Sequence, residues 1–169
     1  MTSRRLIVMR HARAESFASS DHARALTERG WADAVAAGRY LADCELVPEH
    51  VVVSTAVRAV QTWEAVAEGS AARAHVQQDG AVYTGSPHTV LEVLRTVPAD
   101  ATVVAFVGHN PTAASLAHLL DDGEGDTRAM HGLLRGYPAA AMTVFAVEAP
   151  WDTLGPESGR LLDFHAPQG

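Results

Sequence analysis

The chain has 169 residues, of which 47% are hydrophobic and 20% are charged, and its formal net charge is −7 at neutral pH. A chain of this length can bury its own apolar core, so we expect residues 1–169 to form a single domain without disulfides or structural metals. The acidic balance argues against a broad nucleic-acid surface. No apolar run approaches the roughly 18 residues of a membrane span, and the run over residues 6–9 is too short for a signal peptide, so we expect a cytoplasmic protein.

The basic and thiol residues exclude several kinds of chemistry. All 13 basic residues are Arg, and the absence of Lys excludes Walker A loops, lysine Schiff bases and pyridoxal enzymes. The single cysteine, Cys44, cannot form an internal disulfide, and a cysteine-phosphatase loop would need an Arg where this chain has His50. An anion site in this chain therefore uses Arg, His or backbone N–H groups.

Apolar runs alternate with helix-like segments along the chain, which predicts a layered α/β fold. In chain order, strands are predicted over residues 4–9, 51–54, 75–83, 101–107, 140–147 and 161–164. Helices are predicted over residues 27–42, with Thr27 as the N-cap, and over residues 57–68, 86–95 and 111–120, the last two opening at prolines. Residues 121–126, DDGEGD, are predicted to form a solvated turn. Neither this turn nor the histidines have the spacing of a metal site.

Basic and imidazole side chains follow three of the predicted strands. Arg10 and His11 follow the first strand, Arg58 comes shortly after the second, and His109 follows the strand that ends at residue 107. Each of these side chains alone would be ordinary in an exposed loop or at a helix start. In an open α/β sheet, however, ligands bind beyond the carboxyl ends of the strands, so the recurrence predicts one shared site.

Two Arg and two His around one point suit a phosphoryl group. Arg supplies planar, paired donors to phosphate oxygens. One His can act as the nucleophile if a ring nitrogen is kept unprotonated by a hydrogen bond from the other nitrogen to a backbone carbonyl. The second His and the Arg side chains would then stabilise the charge of the transferring group.

Four stretches carry a family resemblance: LIVMRHARAE, RALTERGWADAVAAGRYLA, VVVSTAVRAVQTWEAV and VVAFVGHNP. In this order they resemble the motifs of the histidine phosphatase superfamily, the phosphoglycerate-mutase-like group. They are most similar to the small SixA-type branch of phosphohistidine phosphatases. The resemblance implies a three-layer α/β/α fold around a central, mostly parallel sheet, and catalysis that needs no metal and no cofactor.

The same resemblance assigns roles to the residues at the strand ends. It implies that His11 is the nucleophile that becomes phosphorylated and that Arg10, Arg58 and His109 complete the phosphate pocket. Ala12 stands where the family motif has glycine. Its methyl group is expected to change the pocket little, although it could narrow it.

Further candidate residues come from the loop after His11 and from the segment after the third predicted strand. Arg24 and Ser16 are candidate ligands of the substrate phosphate. In larger members of the family a Glu after the third strand protonates the leaving group, but the matching stretch here, VYTGSPHTV, has no carboxylate. Glu15 and Glu92 are the candidates for this general acid. A P–N bond to imidazole needs less help from an acid than a P–O bond to an alcohol, so the missing carboxylate favours a phosphohistidine substrate.

The sequence therefore predicts a phosphatase that forms a phosphohistidine intermediate on His11 and acts on a phosphohistidine-bearing protein. Two alternatives stay open. One is a small-molecule phosphomonoesterase of the same family, acting on a phosphorylated metabolite. The other is a non-catalytic phosphate- or phosphoprotein-binding module, which Ala12 and the missing acid would favour.

Overall fold

The computed structural model describes residues 3–168, and its central element is a six-stranded sheet. The strands are β1 Arg4–Arg10, β2 His50–Ser54, β3 His75–Asp79, β4 Val103–Gly108, β5 Met142–Val147 and β6 Gly159–His165. The helices are α1 Glu28–Asp43, α2 Val57–Ser70, α3 Ala81–Thr84, α4 Pro87–Leu94, α5 Thr112–Leu120 and α6 Thr127–Arg135, with a short 3-10 helix at Trp151–Thr153.

The sheet is mostly parallel. Its strand order is β3-β2-β4-β1-β5-β6, in which β3, β2, β4 and β1 pair in parallel and β5 and β6 are antiparallel to their neighbours. The carboxyl ends of β2, β4 and β1 therefore lie side by side at one edge of the sheet. The predicted mostly parallel sheet is confirmed.

Helices cover both faces of the sheet. Leu6 and Val8 of β1 belong to one apolar cluster, with residues of α4, α5 and α6, whereas Ile7 and Met9 belong to a second cluster with residues of α1 and α2. Since successive side chains of a strand point to opposite faces, the two clusters lie on opposite sides of the sheet. This confirms the predicted three-layer α/β/α architecture. Among residues 3–168, no helix is both long and apolar enough to cross a bilayer.

Two helix starts follow the predicted capping chemistry. The Thr27 hydroxyl oxygen accepts a hydrogen bond from the Gly30 N–H at 3.0 Å, and the Ser86 hydroxyl oxygen accepts one from the Thr89 N–H at 3.3 Å. With the exception of the third strand, the predicted strands and helices are confirmed, with bounds that differ by at most two residues.

The predicted third strand over residues 75–83 is too long. It ends at Asp79, whose carboxylate accepts a hydrogen bond from the Ala81 N–H at 2.9 Å and so turns the chain at Gly80. Helix α3 follows and carries Tyr83 towards the carboxyl edge of the sheet.

Helix α6 was not predicted from the sequence. It begins after the acidic turn over residues 121–126, where the carboxylate of Asp126 caps the helix by accepting from the Ala129 N–H at 2.9 Å. Gly132 in the middle of this helix lowers its intrinsic helix propensity, and its apolar residues are interspersed with polar ones, so no apolar run marks the segment. Asp126 as an N-cap before the amphipathic segment over residues 127–135 is the signal that could have indicated it.

Candidate active site

The carboxyl edge of the sheet brings the two predicted histidines together. The last residues of β1 and β4, Arg10 and Gly108, are register partners, and the His11 N–H donates to the Gly108 carbonyl at 2.8 Å. His109 follows directly, and the ring centroids of His11 and His109 are 5.2 Å apart. The parallel pairing of β1 with β4 therefore fixes the backbone from which both imidazoles project.

His11 is held as a neutral imidazole with a defined tautomer. Its Nδ1 lies 2.8 Å from the carbonyl oxygen of Ala12, which can only accept, so Nδ1 carries the proton and Nε2 keeps its lone pair. Burial lowers the pKa of His11 to about 4, and the positive charges of Arg58 and Arg10 act in the same direction. At neutral pH the lone pair on Nε2 is therefore available.

His109 is also neutral and is oriented by β2. Its Nε2 lies 2.8 Å from the hydroxyl oxygen of Ser54, which in turn accepts from the Ala56 N–H at 3.2 Å. Burial lowers the pKa of His109 to about 4, with further lowering from His11 and Arg58. When the Ser54 hydroxyl donates to Nε2, the proton of His109 is on Nδ1.

Two guanidinium groups flank the histidines, one buried on Arg58 and one half-buried on Arg10. Arg58, with a side chain only 6% exposed, donates to the backbone carbonyl of Asp21 at 2.8 Å and to its carboxylate at 3.1 Å. Arg10 donates to the Tyr137 carbonyl at 3.0 Å.

Three buried nitrogen atoms of the site are left without a hydrogen-bond partner within residues 3–168: Nε of Arg10, Nε of Arg58 and Nδ1 of His109. Buried donors are nearly always paired in proteins. Two guanidinium nitrogens and one imidazole nitrogen with free hydrogen-bonding capacity suit a ligand that carries several oxygen atoms.

The site opens into a cleft of about 720 Å³. Of the predicted residues, Arg10, His11, Ala12, Arg24, Arg58 and His109 line this cleft. Glu15, Ser16 and Glu92 do not belong to its lining, and all three are exposed to solvent. Within residues 3–168, no group of three or more His, Cys, Asp or Glu side chains is arranged to hold a metal ion.

Comparison with known proteins places the chain in a family. The family model of the histidine phosphatase superfamily, branch 1, matches residues 6–80. An uncharacterized protein of Mycobacterium tuberculosis is 32% identical over 162 residues, which is 95% of this chain and the full length of that protein. The structure of a proposed phosphohistidine phosphatase SixA from Nakamurella multipartitia is 32% identical, with a TM-score of 0.87 over 99% of this chain and 98% of that one. The chain belongs to the histidine phosphatase superfamily.

Other solved structures agree with a SixA-type member of this superfamily. A proposed phosphohistidine phosphatase SixA from Agrobacterium tumefaciens is 28% identical, with a TM-score of 0.80 over 97% of this chain and 98% of that one. A protein histidine phosphatase SixA complexed with tungstate, at 21% identity, shares the fold with a TM-score of 0.79 over 96% of each chain.

Ala12, at the glycine position of the superfamily motif, is integrated into the core. Its backbone N–H donates to the Thr62 hydroxyl at 3.0 Å, and the Thr62 hydroxyl donates to the Arg58 carbonyl at 2.6 Å. The Ala12 residue is fully buried and packs in the apolar cluster formed with α1 and α2. These contacts tie the residue after the histidine to the helix that carries Arg58.

Asp21 is a residue of the site that the sequence did not reveal. Its carboxylate pairs with Arg24 at 3.0 Å and with Arg58 at 3.1 Å, and it accepts a hydrogen bond from the Tyr83 hydroxyl at 2.6 Å. The hydrogen bond from Tyr83, together with the two guanidinium groups, holds the pKa of Asp21 well below its usual range. The position of Asp21 three residues before Arg24 is the only local signal of this pairing.

Proposed function

We propose that this protein is a protein phosphohistidine phosphatase that works through a phosphorylated His11, without a metal or cofactor. Membership of the histidine phosphatase superfamily and the similarity to SixA structures support phosphoryl-group hydrolysis. The neutral, correctly oriented His11 beside two guanidinium groups supports its role as the nucleophile.

In the first step, the lone pair of His11 Nε2 attacks phosphorus. A bond forms between Nε2 and phosphorus as the bond from phosphorus to the substrate nitrogen breaks, and its electron pair stays with the substrate imidazole. Arg10 and Arg58 neutralise the phosphoryl oxygens, and Nδ1–H of His109 donates to one of them. This role requires the Ser54 hydroxyl, 2.8 Å from Nε2 of His109, to donate to that nitrogen, which leaves the ring proton on Nδ1.

In the second step, water attacks the phosphoryl group on His11. The bond from His11 Nε2 to phosphorus breaks, its electron pair returns to Nε2, and the proton of the water passes to solvent or to the departing phosphate. The hydrogen bond from Nδ1 of His11 to the Ala12 carbonyl keeps the ring in place throughout both steps.

The lining of the cleft supports phosphohistidine as the substrate. Among the described residues, no carboxylate belongs to this lining. Asp21, whose carboxylate pairs with two arginines of this lining, is held ionised by them and by Tyr83 and so has no proton to donate. An alcohol would have to leave as an alkoxide, whereas a histidine can leave as neutral imidazole once its distal nitrogen is protonated from solvent. The site therefore suits a P–N bond better than a P–O bond.

The substrate choice is tested by comparing kcat/KM for a phosphohistidine peptide, a phosphoserine peptide of the same sequence, phosphoglycerate and an aryl phosphate. We expect the phosphohistidine peptide to exceed both alkyl esters by at least about 100-fold, in the range that general acid catalysis contributes. Faster turnover of an alkyl ester would contradict the phosphohistidine assignment and favour a small-molecule phosphomonoesterase. No turnover of any substrate, with intact phosphate binding, would favour a binding module.

A further inference from the structure

The cleft extends well beyond the groups that hold the phosphoryl group. Its volume of about 720 Å³ is that of a site for a whole small molecule or peptide segment, and a single phosphoryl group fills only part of it. The remaining lining includes Arg13 and Arg29, two exposed residues. The cleft thus has an inner end at His11 and an arginine rim, which we define as Arg13 and Arg29.

The arginine rim concentrates positive charge in an acidic protein. Five of the 13 arginines line this one cleft, although the formal net charge of the chain is −7. Arg24 and Arg58 are partly neutralised by Asp21. In contrast, no ion pair within residues 3–168 involves Arg13 or Arg29. Arg13 and Arg29 therefore add two positive charges, unpaired within the described residues, to those of Arg10 and Arg58, which hold the phosphoryl group.

The backbone holds the rim beside the nucleophile. The Arg13 carbonyl accepts from the Thr27 N–H at 3.0 Å, and a Cβ atom at position 30 would lie only 2.1 Å from that carbonyl oxygen, so Gly30 is required for this close contact. This contact fixes Arg13 against the first turn of α1, where Arg29 lies. Two extended residues span at most about 7 Å, so the Arg13 backbone stays close to that of His11.

The position of Arg29 is unfavourable for the helix itself. It lies in the first turn of α1, where the positive end of the helix dipole and the free N–H groups favour acidic side chains rather than basic ones. A cation there is stabilised when an anion binds across the helix start. Glu28 occupies the same turn, and an anionic ligand bound across the helix start would be a further favourable charge for Arg29.

We propose that the arginine rim binds an acidic side chain that flanks the phosphohistidine of a substrate protein. The inference rests on the proposed function and adds a sequence preference to it. The phosphoryl group occupies the inner end of the cleft at His11, and a Glu or Asp near it in the substrate pairs with Arg13 or Arg29. These pairs are solvent-exposed, so they weaken as salt concentration rises.

The test uses two phosphohistidine peptides, one with Glu residues flanking the phosphohistidine and one with Gln at the same positions. The wild-type protein is compared with the double variant Arg13→Gln/Arg29→Gln, and Arg73→Gln serves as the control because Arg73 is exposed and lies outside the cleft. We expect the wild type to prefer the Glu peptide about tenfold in kcat/KM, as two exposed charge pairs would allow. The double variant should lose this preference, and Arg73→Gln should keep it.

Two further measurements make the outcome decisive. The variant Arg13→Lys/Arg29→Lys retains the charges and should retain most of the preference, which separates charge from a change in folding. Raising the ionic strength from 50 to 500 mM should reduce the wild-type preference towards unity, because exposed charges are then screened. Equal turnover of the two peptides by the wild type would overturn the arginine-rim proposal alone. Turnover of neither peptide, with rapid hydrolysis of a phosphate monoester, would overturn the phosphohistidine function as well.

Discussion

Two histidine pairs lie at opposite edges of the same sheet. At the carboxyl edge, the rings of His11 and His109 have centroids 5.2 Å apart, and at the amino edge, the first residues of β2 and β3, His50 and His75, have centroids 4.9 Å apart. Both pairs arise from neighbouring parallel strands and have nearly the same separation. They differ in their surroundings.

The amino-edge pair has neighbours that do not favour an anion. His50 Nε2 lies 3.1 Å from the side-chain oxygen of Gln77, and the hollow around this pair is lined by two carboxylates, Glu49 and Asp100, and by no arginine among the described residues. The carboxyl-edge cleft has five arginines and no carboxylate in its described lining. Two adjacent histidines are therefore not a phosphate site in themselves. The guanidinium groups distinguish the carboxyl-edge pair, whereas burial does not, because His50 of the amino-edge pair is only 4% exposed.

The largest expected effect is the loss of the nucleophile. The His11→Ala variant should lower kcat/KM by at least about 1000-fold, because no other group can form the covalent intermediate. The matched variant at the amino edge, His75→Ala, should leave kcat/KM within about twofold of wild type. Steady-state assays on a phosphohistidine peptide measure kcat/KM of both variants. Comparable losses in His11→Ala and His75→Ala would contradict the assignment of the active site to the carboxyl-edge pair.

The next largest effect concerns the guanidinium groups. Arg58→Ala should lower kcat/KM by about 100- to 1000-fold, as expected when a donor to the transferring group is removed. Arg58→Lys should recover little of this loss, since an ammonium group cannot reproduce the planar, paired donors. Circular dichroism is needed beside the assay because Arg58 also binds Asp21. An Arg58→Ala protein that is folded and fully active would remove Arg58 from the site.

The lowered pKa values predict the pH response of activity. His11 must be unprotonated to attack, and its pKa is about 4, so kcat/KM should hold between pH 7 and 5 and fall as the pH approaches 4. An aryl phosphate is a suitable substrate because its P–O bond survives acid. A midpoint near pH 6.5, the ordinary value for histidine, would show that the site does not hold His11 neutral.

The same pKa values predict the pH response of stability. His11 and His109 have pKa values of about 4 in the folded protein and near 6.5 when unfolded, so the unfolded chain binds more protons between these values. Their contribution to the free energy of unfolding is complete above about pH 6.5 and is lost as the pH falls towards 4. Urea unfolding of wild type and His109→Asn across pH 4 to 7 should show a flatter profile for the variant. Parallel profiles would contradict this linkage.

The smallest expected effect on activity comes from restoring the motif glycine. Ala12→Gly removes a buried methyl group and adds backbone freedom, so it should lower the free energy of unfolding by about 1–2 kcal/mol. Because the methyl group packs in the core, kcat/KM should change by less than about threefold. Thermal unfolding and steady-state assays measure the two effects separately. A large gain in kcat/KM would show instead that Ala12 narrows the pocket.

The sequence predicted the strand-end residues well because they depend on regular patterns. Apolar runs locate the strands, and parallel pairing then places Arg10, His11 and His109 at one edge. Asp21 could not be predicted in this way, because it lies in the loop between β1 and α1, which has no periodicity, and its partners Arg58 and Tyr83 are distant in sequence. The arginine rim could not be predicted for a related reason. Arg13 and Arg29 come together only because the loop after β1 contacts the first turn of α1.

The covalent role of His11 is the central claim, and trapping the intermediate tests it most directly. The protein is mixed with a 32P-labelled phosphohistidine peptide, denatured in alkali within milliseconds because phosphohistidine is acid-labile, and digested for mass spectrometry. We predict label on the peptide that contains residues 10–13, localised to His11, and none in His11→Ala. Turnover by the wild type without labelled protein, or label that persists in His11→Ala, would contradict the account.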